Sequence, residues 1–290
     1  AAATGPAAEN KRGMFDAVQL AVDEINAADG IHGRRIELRR YDTCSTTLGA
    51  RAAARQAVAD GAVAVIGALR SSHCLAMARV LDEAGIAMIS PQATHPDVTR
   101  VGPSIYRICY VDSFQGRLLA DFAYDNLAAR RAALVINSNR IYSIELARVF
   151  GERFRQHGGQ VVAEQSYLDQ SIEHEALVAA ITKQEPDVLF IPSEVRDAGY
   201  ILKQLRQSGV DAVALGSDAW GPNLVTYAGE AADGSYFTTY WHPRADDRRA
   251  QDLIACYEDR FGPLKNPGIL LSYDAAYLLA DAIERAGSWQ

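Results

Sequence analysis

Hydroxyl and amide donors gather at two places in this chain, Ser71-Ser72 and Ser90-Pro91-Gln92-Ala93-Thr94, each directly after a short apolar run. The runs at 62–66, stopped by Gly67, and at 86–89 read as strands covered on both faces of a parallel sheet. Between them Cys74, Leu75, Ala78, Leu81 and Asp82 fall at helical spacing, with Gly85 as the stop. Parallel strands put both donor clusters on one edge of the sheet. Ligands of open α/β sheets bind beyond that edge, and a helix start there adds free N–H groups and a positive dipole end. A small anion such as a carboxylate could be held there without any cationic side chain. The same residue types also serve as a helix cap and a proline-flanked turn, so that plainer reading stands beside the first.

Three later junctions carry polar residues where a second binding edge would lie: 137–142, Pro192-Ser193-Glu194, and Gly216-Ser217-Asp218-Ala219-Trp220-Gly221. Tyr142 and Glu194 precede helices, and Asp218 sits in a glycine-bracketed turn beside Trp220. If two lobes face each other, donors on one meet carboxylates and aromatics on the other, which suits a small zwitterion. Glu194 can equally be a helix-dipole partner, Asp218 a turn former, and Tyr142 and Trp220 packing residues.

The elements that must position these residues alternate from end to end. Met14, Val18, Ala21, Val22 and Ile25 form a helical stripe closed by the Asp29-Gly30 turn. A strand at 35–41, a helix at 48–60, the donor-bearing strand–helix–strand and a strand at 105–111 complete a first unit. The second reads as helix 115–128, strand 132–136, helix 143–157, strand 160–165, helix 172–183, strand 187–191, helix 196–208, strand 212–215, a short helix from Pro222 and strand 234–240. Helices at 246–261 and 267–286 end the chain. This βα alternation predicts parallel sheets with helices on both faces.

At 290 residues the chain suits two lobes. Its apolar fraction of 49% and charged fraction of 22% are those of a globular protein, and no apolar run approaches membrane-spanning length. No secretory leader stands at Ala1, which fits a mature chain as well as a cytosolic one. A net charge of −7 argues against nucleic acid. The basic pairs Arg34-Arg35, Arg39-Arg40 and Arg130-Arg131 read as solvated edges. Cys44, Cys74, Cys109 and Cys256 lack zinc-site spacing, so no metal or cofactor is expected. A Cys44–Cys74 disulfide stays open, and Cys109 reads as a small core residue. The chain has no Gly-x-Ser-x-Gly elbow, phosphate loop or dinucleotide fingerprint, and its histidines are scattered. His73 and His95 near the first cradle read as loop or cap residues, and an enzyme is not expected.

The order of these motifs resembles the leucine/isoleucine/valine-binding branch of the type I periplasmic solute-binding proteins of ABC transporters. The likeness runs through Thr4-Gly5-Pro6, Ala21-Val22-Asp23-Glu24-Ile25-Asn26, Gly30-Ile31-His32-Gly33, Tyr41-Asp42, Val65-Ile66-Gly67, the two donor clusters, Tyr142, Leu202-Lys203-Gln204, Gly216-Ser217-Asp218 and Ser272-Tyr273-Asp274. It implies a two-lobed, hinged α/β fold, with lobe 1 at 1–112 plus 243–290 and lobe 2 at 113–242. It also implies a cleft in which Ser71, Ser72, Gln92, Ala93 and Thr94 take a ligand carboxylate and Asp218 takes the ammonium, with Tyr142 and Glu194 from the second lobe. Arg70, Trp220 and Tyr110 are candidates for the pocket floor. The partners implied are an amino acid and a membrane permease, and the location is periplasmic, or extracellular on a lipid anchor. The alternative is the same clamp serving as a sensor, or holding an amide or an aromatic or aliphatic acid.

This sequence departs from the resemblance in several places. Tyr142 is followed by Ser143 rather than glycine, and Arg70 stands where a related branch has the cysteine that pairs with one near position 44. Arg70 and the two acids could favour a polar or acidic amino acid or a larger organic acid. Relatives begin with a strand before the Thr-Gly-Pro turn and carry further strands after the last helix; neither is present here.

Overall fold

The computed structural model describes residues 1–5, 8, 13–169, 174–240, 242, 246–264 and 266–288. Pro6 and the expected helix start at Ile172 lie outside them. The chain divides into two units, Ala1–Tyr110 with Trp241–Gln290, and Val111–Tyr240.

In the first unit the stripe at Met14 to Ile25 forms α1 (Gly13–Ala27) and is buried. The second helix, α2 (Thr47–Ala59), starts where Thr46 Oγ1 accepts the Gly49 N–H at 2.9 Å. Then come β1 (Ala64–Ile66), α3 (Ser71–Glu83), β2 (Ala87–Ser90) and β3 (Ile105–Arg107). The three strands form one parallel sheet in the order β1-β2-β3, with Ile66 opposite Ile89 and Ser90 opposite Arg107. This register brings the carboxyl ends of β1 and β2 level. Leu81, Met88, Val98 and Ile105 pack beneath them.

The expected strand at 35–41 is not one: this stretch pairs with no strand among the described residues. Its alternation of apolar and polar residues is real, but a strand also needs a ladder partner. Both backbone groups of Ile36 bond the Asn26 side chain instead, at 2.7 and 3.0 Å. A cavity of about 450 Å³ is lined by Ile36 and Leu38 together with Ala64, Val65 and Ile66 of β1.

The second unit runs α4 (Asp112–Asp121), extended by a π-helical turn at Phe122–Asn126, β4 (Arg131–Asn137), α5 (Ile141–Gln156) and β5 (Gln160–Tyr167). It continues with α6 (Glu175–Thr182), β6 (Val188–Phe190), α7 (Val195–Gln207), β7 (Val213–Gly216), α8 (Leu224–Ala228) and β8 (Tyr236–Phe237). The sheet is parallel throughout, in the order β5-β4-β6-β7-β8. Its strands alternate between two cores. Leu134, Val188 and Phe190 pack with Leu146, Phe150 and Phe154 on one face, while Val135, Leu189 and Ile191 pack with Ile201 and Leu202 on the other. The Phe150 and Phe190 rings stack at 4.3 Å. Each fully buried side chain of this kind stabilises the unit by roughly 1.5–3 kcal/mol. Strand order reverses between β4 and β6, the switch point beyond which doubly wound sheets bind ligands.

Beyond Tyr240 the chain returns to the first unit through α9 (Arg248–Phe261), capped by Asp247, and α10 (Leu271–Ala286). Tyr257, Ile269 and Leu270 cover Ala17 and Leu20 of α1.

Candidate functional site

In the first unit the donor clusters converge as the parallel register requires. Ser90 Oγ donates to Ala68 O at 2.8 Å and accepts the Ala93 N–H at 3.0 Å, tying the end of β1 to the segment after β2. The Cys74 thiol completes the tie, with Sγ 3.0 Å from Ala68 O and 3.3 Å from Ser90 Oγ. Burial pushes this thiol up to about 11. Cys74 is therefore an inert structural thiol; Cys44 is exposed, and neither forms a disulfide.

Helix α3 begins at Ser71, so its N-cap is Arg70, whose side chain makes no cap bond. Ser71 and Ser72 occupy the first turn rather than capping it, and the first intrahelical bond is Cys74 N–H to Arg70 O at 2.9 Å. Ser71 Oγ accepts the His95 N–H at 3.2 Å, which joins the helix start to the Thr94 segment. His95 caps the following turn, its Nδ1 accepting the Asp97 N–H at 3.2 Å. Arg107 braces the segment from β3, donating to the carbonyls of Ala93 and His95 at 2.9 Å and of Pro96 at 3.0 Å. Gln92, Ala93 and Thr94 are buried, and Gln92 Oε1 and Thr94 Oγ1 have no hydrogen-bond partner. A buried hydroxyl left without a partner costs free energy that a ligand can return.

The second unit builds a different chemistry at the end of β7. Asp218 Oδ1 accepts from Tyr142 OH at 2.6 Å and from Gln115 Nε2 at 2.8 Å, and Oδ2 accepts from Tyr240 OH at 2.7 Å. Tyr142 OH also lies 2.7 Å from Ser217 Oγ. Burial, followed by the Asp218 and Asp112 carboxylates, raises the Tyr142 phenol well above its ordinary range, so it remains a neutral donor. A carboxylate with these three donors has most of its lone pairs matched and still offers one on Oδ2.

Trp220 is 3% exposed and belongs to the core of this unit, its ring packed so closely on Gly216 that a Cβ there would fall 2.0 Å from Cδ2. It supports the Asp218 turn. Glu194 is half-buried at the N-cap of α7. Asp197, one turn further, has its carboxyl pushed up to about 6, first by burial and then by the Asp169 and Glu194 carboxylates. Asp169 is held by Arg140 Nε at 3.0 Å and by Asn137 Nδ2 at 2.7 Å.

The structure thus brings Ser71, Gln92, Ala93 and Thr94 together in one unit and Tyr142 and Asp218 together in the other. Glu194 stands in a separate acidic group. Sequence reasoning did not single out Arg107, Gln115, Asp197 or Tyr240. Gln115 had a signal: Asp112, Gln115, Gly116 and Leu119 follow helical spacing, so the buried stripe of α4 contains two polar residues. Among the described residues no group of three or more metal-ligating side chains occurs, and no helix is long and apolar enough to cross a membrane.

Two parallel sheets flanked by helices, each with polar residues at the carboxyl ends of its strands, are the architecture of an α/β solute-binding protein. The periplasmic binding protein family profile matches residues 1–290, and the chain belongs to that family. It is 29% identical over 289 residues to the leucine-specific-binding protein of Salmonella typhimurium, covering 99% of this chain and 78% of that protein. The leucine-binding protein LivK of Thermotoga maritima superposes with a TM-score of 0.91 at 31% identity, covering all of this chain and 82% of that one. The branched-chain amino acid transporter substrate-binding protein LivJ of Streptococcus pneumoniae, solved in complex with isoleucine, gives 0.92 at 27%, covering 99% of this chain and 83% of that one. The fold is that of the type I periplasmic binding proteins, and the protein is a solute-binding receptor.

Proposed function

We propose that this receptor binds an α-amino acid with a branched aliphatic side chain in the periplasm, and delivers it to an ABC permease without chemical turnover. The observation that carries the reading is the Asp218 carboxylate, oriented by Tyr142, Tyr240 and Gln115 as a counter-charge for an ammonium group. The ligand carboxylate is taken by the Thr94 hydroxyl, Gln92 and the N–H groups of Ser71 and Ser72 at the start of α3, where Arg70 is the N-cap. The names of the relatives, leucine-specific-binding in Salmonella and isoleucine-bound in Streptococcus, supply the side-chain class.

Calorimetry tests this with leucine, isoleucine and valine against 4-methylpentanoate, which keeps the carboxylate and isobutyl group but lacks the amine. The amino acids bind and the des-amino acid is at least tenfold weaker. Equal affinity for leucine and 4-methylpentanoate would remove the ammonium role of Asp218. Consumption of any bound solute would reopen an enzymatic reading.

A further inference from the structure

Gln115 is fully buried on the first turn of α4, and its amide uses its whole hydrogen-bonding capacity. Nε2 donates to Asp218 Oδ1 at 2.8 Å and to Asp112 Oδ1 at 3.2 Å. Oε1 accepts from Thr238 Oγ1 at 2.7 Å and from the Asp218 N–H at 3.3 Å. The partners fix the amide orientation, since one side faces two carboxylates and the other an O–H and an N–H. No other side chain of this length offers two donors and an acceptor. Glutamate would add a third carboxylate, and leucine would remove all four bonds.

These bonds reach three separate parts of the chain. Asp112 follows Val111, where the chain enters the second unit, and Thr238 lies two residues before Tyr240, where it leaves. Tyr240 in turn donates to Asp218 Oδ2. The geometry points to Gln115 as a positioning residue that aims the Asp218 carboxylate at a ligand ammonium and fastens it to both segments where the chain passes between units. The inference rests on the proposed function. It assigns discrimination between amines and their des-amino analogues to a residue that need not touch the ligand.

The experiment measures L-leucine and 4-methylpentanoate by calorimetry on the wild type, Gln115→Leu and Gln115→Glu, with thermal melts as the folding control. Wild type binding both probes equally defeats the proposed function, and this inference with it. Given a wild type that prefers leucine, both variants are expected to lose leucine affinity by roughly 10- to 100-fold, the weight of a hydrogen bond to a charged group. Their affinity for 4-methylpentanoate stays within about threefold of wild type. Gln115→Glu adds a readout that packing alone would not move. When protonated, its carboxyl regains an O–H donor, so its leucine affinity recovers as pH falls below neutral while that of the wild type changes little. If Gln115→Leu fails to fold, the pH series on Gln115→Glu decides by itself. Parallel loss of both probes, no loss of either, or a flat pH profile in Gln115→Glu overturns the assignment.

Discussion

Replacing Thr94 by valine should move stability and binding in opposite directions. Thr94 is fully buried and its Oγ1 has no partner in the protein, whereas Ala93 beside it is tied through its N–H to Ser90. An unmatched buried hydroxyl costs roughly 1–3 kcal/mol, and valine removes it at nearly constant shape. Some of that gain is lost to imperfect packing of the second methyl, which leaves a net stabilisation of about 1 kcal/mol. For a protein of this size that is a rise of about 2–4 °C in Tm. The ligand loses a hydrogen bond to its carboxylate, about 1.5–3 kcal/mol because one partner is charged, or roughly 10- to 150-fold in Kd. Urea denaturation of the ligand-free protein measures the first effect and calorimetry with leucine the second. A variant that is less stable than wild type yet binds leucine unchanged would show that the hydroxyl serves the fold, and the cradle would lose its central donor.

Three further outcomes follow from the same geometry. Asp218→Asn keeps the shape of the turn but removes the counter-charge, so leucine affinity falls by about 100-fold or more in calorimetry while 4-methylpentanoate is little affected. Asp197 is an acid with a raised pKa: its contribution to stability is complete below the unfolded value near 4 and is lost as pH rises through about 6. Asp197→Asn therefore stabilises the protein at pH 7–8, by roughly 1 kcal/mol after allowance for its partial exposure, and the advantage vanishes by about pH 4 in denaturation curves. Thiol titration of the native protein modifies Cys44 and Cys256 readily, whereas Cys74 and Cys109 react only in denaturant.

Local pattern was enough wherever the controlling physics is local. The apolar runs before Ser71 and Ser90, with helical spacing between them, specify β1, α3 and β2 because a parallel strand buried on both faces needs an unbroken apolar run. Parallelism then places the donor clusters side by side. Residues 35–41 show where pattern stops: Ile36 and Leu38 alternate as a strand should, but the hydrogen-bond partner of Ile36 is the side chain of Asn26. The Asp218 turn was legible from its bracketing glycines. Its donors were not: Gln115 lies 103 positions away and Tyr240 22, and no short-range periodicity encodes such pairs. Trp220 reads identically in sequence as a pocket wall or as packing. The close approach of its ring to Gly216 puts it under the turn.

On the proposed reading, the first edge would answer a carboxylate with N–H and O–H donors and the second would answer an ammonium with the Asp218 carboxylate. A carboxylate can be satisfied by N–H and O–H dipoles alone, because several donors converge at a helix start without repelling one another. An ammonium has three donors and no acceptor, and a carboxylate answers it far better than carbonyl dipoles do. A bare carboxylate on the second edge would be costly to bury while no ligand is bound. Tyr142, Tyr240 and Gln115 lower that cost by donating to it beforehand, and because none of them is cationic they leave its negative charge uncancelled, as the proposed ammonium contact needs. A lysine or arginine in place of any of the three would satisfy Asp218 equally well and cancel the attraction. Tyrosine and glutamine around this aspartate are therefore what binding of a cation requires, and a cationic substitution at Tyr240 should abolish amine selectivity even where the fold survives.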